Sequence, residues 1–321
     1  MTFAVSSRFP LSLAGLGRNL YGHLAFVPAH LPGGRTRAEV DALLVDSGLP
    51  CDTFNKITRL RLPEGRGFDA RLLALEKFFQ GRPFTWWLGP DTEPDNLGAE
   101  LERRGLRREE VSVGMNLDLS RLSGQEPDTA VPLTVRPARH PSELAAYAAL
   151  LAANWEPPDT CVTQAYAGAE AALLTPRCPL RFVVGYADGE AVCGAEFRLG
   201  PGTLAGVYGL VTPARHRRQG FASRLLWAAL VDLRAAGFTH ATLQASEDGL
   251  HLYRRMGFQP YGDWVEYCGR LCPQRGERNA PERFVIETVC GPPPVFRPAA
   301  CPPEIGISSE SCFNPVQHMA A

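Results

Sequence analysis

Residues 211–226 of this 321-residue chain are VTPARHRRQGFASRLL, and this stretch decides the fold. An apolar strand ends near Val211, a basic loop follows, and a helix begins at the small residues Gly220 and Ala222. The first turn of a helix has backbone N–H groups without partners, and the helix dipole adds partial positive charge there. Gly220 lets the backbone approach a bulky phosphate, and the neighbouring arginines add positive charge. The pattern therefore predicts a pyrophosphate site, and the alternative is a basic loop that is simply a solvated surface.

A second signal, SEDGLHLYRRMGF, occupies residues 246–258. Tyr253 falls in a short predicted helix that follows a strand ending at Ala245. In a parallel strand–helix–strand unit the strand ends share one edge of the sheet, where ligands usually bind. A tyrosine hydroxyl at that edge could donate a proton to a leaving thiolate. The alternative is a core aromatic ring that packs on Phe258.

The second half of the chain predicts one strand, two helices, three strands, a helix, a strand, a helix and a last strand. These elements cover residues 133–135, 141–155, 162–174, 180–186, 191–199, 203–211, 221–235, 240–245, 250–256 and 263–268. Antiparallel strands come first and a strand–helix–strand crossover follows, so helices must cover both faces of the sheet. The order predicts an α/β fold.

Together, the two motifs and the element order resemble the GNAT superfamily of N-acetyltransferases over about residues 133–269. The resemblance implies a mixed central sheet flanked by helices and acetyl-CoA as co-substrate. The family loop motif, Q/R-x-x-G-x-G/A, is matched by Arg217, Gly220 and Ala222. By this resemblance the coenzyme contacts ten residues, which are Leu210, Val211, Arg217, Arg218, Gln219, Gly220, Phe221, Ala222, Ser223 and Ser246.

The later family motif, N-x-x-A-x-x-L-Y-x-x-x-G-F, is similar to residues 246–258, with Ser246 in place of asparagine and Gly249 in place of alanine. Its tyrosine usually acts as general acid toward the coenzyme A thiolate, and the resemblance implies this role for Tyr253.

The reaction also needs an uncharged amine, and a base or a water chain must take its proton. Glu196, on a predicted strand, is the nearest plausible carboxylate by family geometry. The alternative is an ordinary strand residue that faces solvent. Tyr208 is a further candidate for lining the acceptor site.

The first half of the chain shows a fainter version of the same order, which suggests two GNAT-like halves. Gly67 and Phe68 can be aligned with Gly220 and Phe221. This alignment places carboxylates at the loop, where they would repel a pyrophosphate. We therefore expect a degenerate GNAT-like domain at 1–123, a linker at 124–132, a catalytic domain at 133–269, and a mostly irregular tail bearing proline and cysteine at 270–321.

Composition narrows the class of protein. The formal net charge of −1 argues against wholesale binding to nucleic acid or membrane. No long apolar run is present, and the start of the chain is typical of a cytoplasmic protein. The cysteines lack C-x-x-C spacing, so no metal site is expected. The predicted acceptor is a primary amine of a small molecule or peptide. Two other functions remain open, which are a non-catalytic acyl-CoA-binding or regulatory module and a nucleic-acid-associated modifier. A homodimer and a disulfide or metal clip in the tail also remain open.

Overall fold

The computed structural model describes residues 12–122 and 125–269. The helices of these residues are α1 (Leu13–Ala29), α2 (Phe68–Glu76), α3 (Leu97–Arg103), α4 (Pro141–Ala152), α5 (Thr160–Gly168), α6 (Glu170–Leu173), α7 (Phe221–Ala235) and α8 (Leu250–Arg255). The strands are β1 (Arg35–Ala38), β2 (Leu43–Asp46), β3 (Lys56–Thr58), β4 (Thr85–Leu88), β5 (Arg107–Asp118), β6 (Thr134–Pro137), β7 (Leu180–Ala187), β8 (Glu190–Leu199), β9 (Leu204–Val211), β10 (His240–Ala245) and β11 (Gln259–Cys268).

All eleven of these strands form one sheet in the order β1-β2-β3-β4-β11-β5-β10-β9-β8-β7-β6. The sheet is mixed, because β3 runs parallel to β4 and β9 runs parallel to β10, while the other neighbouring strands are antiparallel. Helices lie against both faces. The predicted α/β fold with a mixed, helix-flanked sheet is confirmed.

Each half of the chain inserts a strand into the other. Strand β5, from the first half, lies between β10 and β11 of the second half, with Leu117 opposite Ala241. In return β11 lies between β4 and β5, with Tyr267 opposite Trp86. A buried ion pair, Lys56 Nζ to Glu266 Oε1 at 2.6 Å, also joins the halves. Neither half therefore completes its own sheet.

The two faces carry different helices. On one face, α7 and α8 pack on Val207 and Leu243, and α2 and α3 pack on Leu44. On the other face, α1 packs on Val45 and Tyr208, and α4, α5 and α6 cover β7. Because side chains alternate across a strand, neighbouring residues such as Leu44 and Val45 face opposite layers.

The first fifty residues differ most from the prediction, since no element is predicted between residues 15 and 53. Ser12 caps α1 by accepting from the Gly15 amide, and Leu16 and Leu20 then bury one side of the helix. Strand β3 ends at Thr58, because Arg59 adopts a left-handed φ of 52°. Helix α7 and strand β10 have the predicted bounds.

The proposed boundaries of the halves stay predictions. Residues 125–133 contain no helix or strand, as expected of a linker. The predicted tail, 270–321, lies outside the described residues. Among those that are described, no helix has the length and apolar character needed to cross a bilayer.

Candidate active site

The site begins where two parallel strands separate. Strands β9 and β10 pair only from Leu204 opposite His240 to Gly206 opposite Thr242. Beyond this point β9 continues to Val211 without β10 as a partner. On its other side, the register of β8 with β9 shifts near Gly209, whose φ is +52°. This bulge and the diverging strands leave a wedge on the β10 side of β9, where residues 207–211 have no strand partner among the described residues.

The loop after β9 presents a run of free amides. Arg218 and Gly220 both have left-handed backbone, with φ of 65° and 84°. Arg224 donates the first hydrogen bond of α7, to the Gly220 carbonyl at 3.0 Å. Within residues 12–122 and 125–269, the six consecutive N–H groups from Arg218 to Ser223 have no acceptor. No side chain caps the helix either. This arrangement suits a large anion.

Gly220 also has a structural reason to be glycine. A Cβ at this position would collide with the backbone carbonyl oxygen of Asp128 in the linker. The linker is held there by the Ala130 amide, which donates to the Gln219 carbonyl at 3.0 Å, and by an ion pair between Glu126 and Arg224. Thus both the left-handed φ and the neighbouring linker exclude a side chain at Gly220.

The loop arginines have different partners. Arg215 pairs with Glu190 of β8 at 2.7 Å, and Arg217 donates its Nε to the Thr212 carbonyl at 3.0 Å. Arg218 is exposed and has no ion-pair or hydrogen-bond partner for its side chain in the part of the chain that is described. Of the three, Arg218 is therefore the one whose guanidinium is free for a bound phosphate.

Tyr253 projects from α8 into the core beneath the wedge. Its ring meets Phe258 edge to face, with centroids 5.8 Å apart, so the packing alternative considered above is realised. Gly249 makes room for the ring, since a Cβ there would lie 2.8 Å from it. Burial alone raises the pKa of Tyr253 well above its usual value of 10.0, so the hydroxyl keeps its proton at neutral pH. A packed ring and a proton-donating hydroxyl are compatible.

On the opposite face, Glu196 is buried rather than solvent-facing, with 3% of its surface exposed. Its Oε1 lies 2.7 Å from His23 Nε2, and its Oε2 accepts from the Tyr166 hydroxyl at 2.9 Å. The Tyr147 hydroxyl donates to the Gly209 carbonyl at 3.2 Å. Glu196 therefore lies beside the bulge, within a cluster of hydrogen-bonding groups.

Helix α1 closes this cluster from above. The His23 ring stacks on Tyr208, with centroids 3.8 Å apart, and Tyr208 donates to Asn19 Oδ1 at 2.9 Å. A Cβ on Gly206 would collide with Asn19, so α1 approaches β9 closely. With Nε2 occupied by Glu196, the other ring nitrogen of His23, Nδ1, is buried and has no hydrogen-bond partner among the described residues. In the neutral ring with its proton on Nε2, facing the carboxylate, Nδ1 is a hydrogen-bond acceptor.

The family-model comparison and the solved structures both agree with this geometry. Residues 144–258 match the family model described as "Acetyltransferase (GNAT) family". The chain carries a GNAT acetyltransferase domain. The matched stretch includes the wedge, the amide-rich loop and Tyr253.

Solved structures with the same fold include a GCN5-related N-acetyltransferase from Kribbella flavida, at 17% identity and a TM-score of 0.60, covering 82% of this chain and 97% of that one. A GCN5-related N-acetyltransferase from Sphaerobacter thermophilus matches at 18% identity and a TM-score of 0.51, covering 73% of this chain and 82% of that one. A tandem GNAT protein from the clavulanic acid biosynthesis pathway matches at 20% identity and a TM-score of 0.50, covering 75% of this chain and 82% of that one. The search of curated proteins found no match.

The residues predicted from the sequence fall into two groups around the GNAT wedge. The coenzyme set lies along the end of β9, the loop and the first turn of α7, with Ser246 exposed at the end of β10. Tyr253 lies under this edge, and Glu196 and Tyr208 lie on the α1 face. Their roles stay predictions, since the geometry gives positions and not contacts with a substrate.

Sequence reasoning missed His23, Asn19 and Tyr166. His23 and Asn19 come from a helix that precedes the GNAT domain by more than a hundred residues, and no local motif surrounds them. The available signal was the helical spacing of Leu16, Leu20 and the two polar residues, which places an apolar and a polar row along α1.

The corresponding corner of the first half has similar backbone and opposite charge. Gly67 precedes α2 with a left-handed φ of 100°, and the Arg71 amide donates to its carbonyl at 2.8 Å. The start of α7 has the same left-handed glycine and the same first hydrogen bond. Yet two adjoining cavities, of about 320 and 460 Å³, are lined by carboxylates, which are Glu64, Asp69, Glu93, Asp95 and Glu100. Arg104 pairs with two of them, Asp69 and Glu100. Whether this corner has lost coenzyme binding stays a prediction.

Proposed function

We propose that this GNAT protein transfers an acetyl group from acetyl-CoA to a primary amine of a small molecule or peptide by direct attack. The observation that carries the proposal is the run of six amides from Arg218 to Ser223, which have no acceptor among the described residues and lie beside the wedge, with the buried Glu196 and its hydrogen-bonding partners on the opposite face. The family transfers acyl groups from acyl-CoA to amines, and these residues supply what each end of such a reaction needs.

The coenzyme end fits the loop. The amides of Arg218 to Ser223 would bind the pyrophosphate, and Arg218 would neutralise part of its charge. The backbone of Leu210 and Val211, which lacks β10 as a neighbour, would pair with the amide groups of the pantetheine arm as a strand does. The thioester would then lie in the wedge.

The acceptor end fits the cluster around Glu196. A neutral amine attacks the thioester carbonyl and forms a new C–N bond, and the C–S bond then breaks. In this proposal the proton of the amine passes to Nδ1 of His23, which has no partner among the described residues, and Glu196 stabilises the resulting imidazolium through its contact with Nε2. Tyr253 gives its proton to the departing thiolate. The buried cluster keeps these groups away from bulk water.

The test is thiol release from acetyl-CoA in the presence of a panel of polyamines, amino acids, aminoglycosides and peptide N-termini. Turnover with at least one class is expected. Glu196→Gln, which keeps shape and removes the carboxylate, should reduce kcat by roughly 10²-fold or more. Glu190→Gln, on the same strand but exposed, is the matched control and should leave kcat unchanged.

The alternative, a non-catalytic acyl-CoA-binding or regulatory module, makes a different prediction. Tight binding of acetyl-CoA in calorimetry, without thiol release for any amine, would favour that module and contradict the enzyme proposal. Equal activity of Glu196→Gln and the wild type would leave the enzyme proposal standing and remove Glu196 from it.

A further inference from the structure

Arg198 lies beside Glu196 and differs from the other partly buried arginines, because its guanidinium forms no hydrogen bond or ion pair among the described residues. It follows Glu196 by two positions on β8, so both side chains point to the α1 face. Its guanidinium packs directly under Gly22 of α1, where a Cβ would collide with it. Gly22 directly precedes His23 in α1, and His23 contacts Glu196. The guanidinium under Gly22 therefore lies at the edge of the Glu196 cluster.

The guanidinium has no anionic partner. Among residues 12–122 and 125–269, no carboxylate forms an ion pair with Arg198, and its buried Nε has no hydrogen-bond partner. Burial lowers the pKa of Arg198. Several other partly buried arginines have acidic partners, and Arg59 donates to the backbone carbonyls of Glu39 and Ala42. Asp46 pairs with Arg35 at 2.5 Å and with Arg82 at 2.6 Å. A desolvated charge without a partner is costly, so a bound anion would stabilise it.

Glu196 does not fill this role, although it is the nearest acid along the strand. Its two oxygens are engaged by His23 and by Tyr166. The strand thus presents a carboxylate and a free guanidinium side by side, roughly 7 Å apart at the backbone. One small molecule with an amine at one end and an anion at the other can reach both.

We propose that Arg198 binds a carboxylate on the acceptor, so that the substrate is an amino acid or a short peptide whose amine lies at Glu196 and His23. This inference rests on the proposed N-acetyltransferase function and names the substrate class of the same site. A planar guanidinium binds a carboxylate through two parallel hydrogen bonds, and this geometry favours a carboxylate over a neutral amide.

The experiment compares amino acids and dipeptides with their C-terminal amides, which differ in the carboxylate. The kcat/KM ratio of each acid to its amide is measured for the wild type, Arg198→Gln and Arg198→Lys. Intrinsic amine reactivity is the same for every enzyme, so the change in the ratio isolates the side chain. The ratio should fall roughly 10- to 100-fold in Arg198→Gln, with partial recovery in Arg198→Lys. Arg177→Gln, an exposed arginine, is the control.

A binding measurement makes the result independent of turnover. With coenzyme A present, calorimetry should show acids binding to the wild type more tightly than their amides, and this preference should be lost in Arg198→Gln. Unchanged acetyl-CoA affinity and thermal midpoint would show that this variant is folded. An acid-to-amide ratio that Arg198→Gln does not alter overturns the inference, as does equal binding of acid and amide by the wild type. Absence of turnover with every amine would instead count against the enzyme proposal.

Discussion

At the scale of single residues, the site depends on contacts that put polar groups into low-dielectric surroundings. Glu196 is buried at a point where His23 and Tyr166 satisfy its oxygens. Burial beside this carboxylate raises the pKa of Tyr147 and Tyr166 well above 10.0, so both stay protonated as donors. Burial also raises the pKa of Tyr253 and keeps its hydroxyl protonated, without a contribution from a carboxylate.

Removing the hydroxyl of Tyr253 should slow the chemical step and leave coenzyme binding intact. In Tyr253→Phe the ring still packs on Phe258, so the fold is retained. We expect kcat to fall by roughly 10²-fold, because general acid catalysis typically contributes about that much. Stopped-flow thiol release measures the rate, and calorimetry measures acetyl-CoA affinity. Tyr186→Phe, on strand β7, is the control. Full activity of Tyr253→Phe would show that another group protonates the thiolate.

At the scale of elements, two pieces of secondary structure build the site from opposite sides. The start of α7 supplies amides without acceptors, because the chain enters it through Arg218 and Gly220 in left-handed backbone. Helix α1 supplies His23 and Asn19 and lies across β9 of the second half and β2 of the first. The coenzyme side is therefore local in sequence, and the acceptor side is not.

The loop arginines should contribute unequally to coenzyme affinity. Arg218→Ala removes an exposed guanidinium that has no protein partner among the described residues, whereas Arg215→Ala breaks its ion pair with Glu190. We expect Arg218→Ala to weaken acetyl-CoA binding roughly three- to tenfold and Arg215→Ala to have little effect. The difference should shrink at high salt, because exposed charges are screened. Calorimetry at two salt concentrations tests this, and equal losses for the two variants would contradict it.

At the scale of the whole molecule, the exchange of β5 and β11 joins the halves into one sheet. Lys56 and Glu266, which pair across this junction, are largely buried. The order of strands and helices is similar in both halves, including one parallel strand pair in each. The carboxylates at the first-half corner and the arginines at the second-half corner make the two potential sites chemically different.

Coenzyme should bind once per chain. Glu64 and Asp69 lie where a phosphate would have to approach α2, and like charges repel. Calorimetric titration of the full chain with acetyl-CoA should give one equivalent. Gly220→Val, which cannot adopt the left-handed backbone without strain, should abolish that equivalent. Two equivalents bound by the wild type would show that the first half retains a working site.

The halves should also unfold together. Because β5 needs β10 and β11 as partners, and β11 needs β4, loss of either half exposes strand edges in the other. Pulse-labelling hydrogen exchange along a urea gradient should therefore show one midpoint for peptides containing β3 and for peptides containing β8. Two well-separated midpoints would mean that the exchanged strands do not couple the halves.

The sequence by itself determined the α/β class and the order of elements after residue 133. It also determined the position of the amide-rich loop before α7 and of Tyr253 in the short helix after β10. These depend on local periodicity and on a glycine between arginines and an apolar helix face, which short stretches specify. Only the tertiary structure decided that the two halves share a sheet and that His23 and Tyr166 meet at Glu196. Such contacts join residues far apart in the chain and arise from the packing of α1 and α5 beside β8. The local sequence specifies the apolar and polar rows of a helix such as α1, but not the strands on which the helix packs.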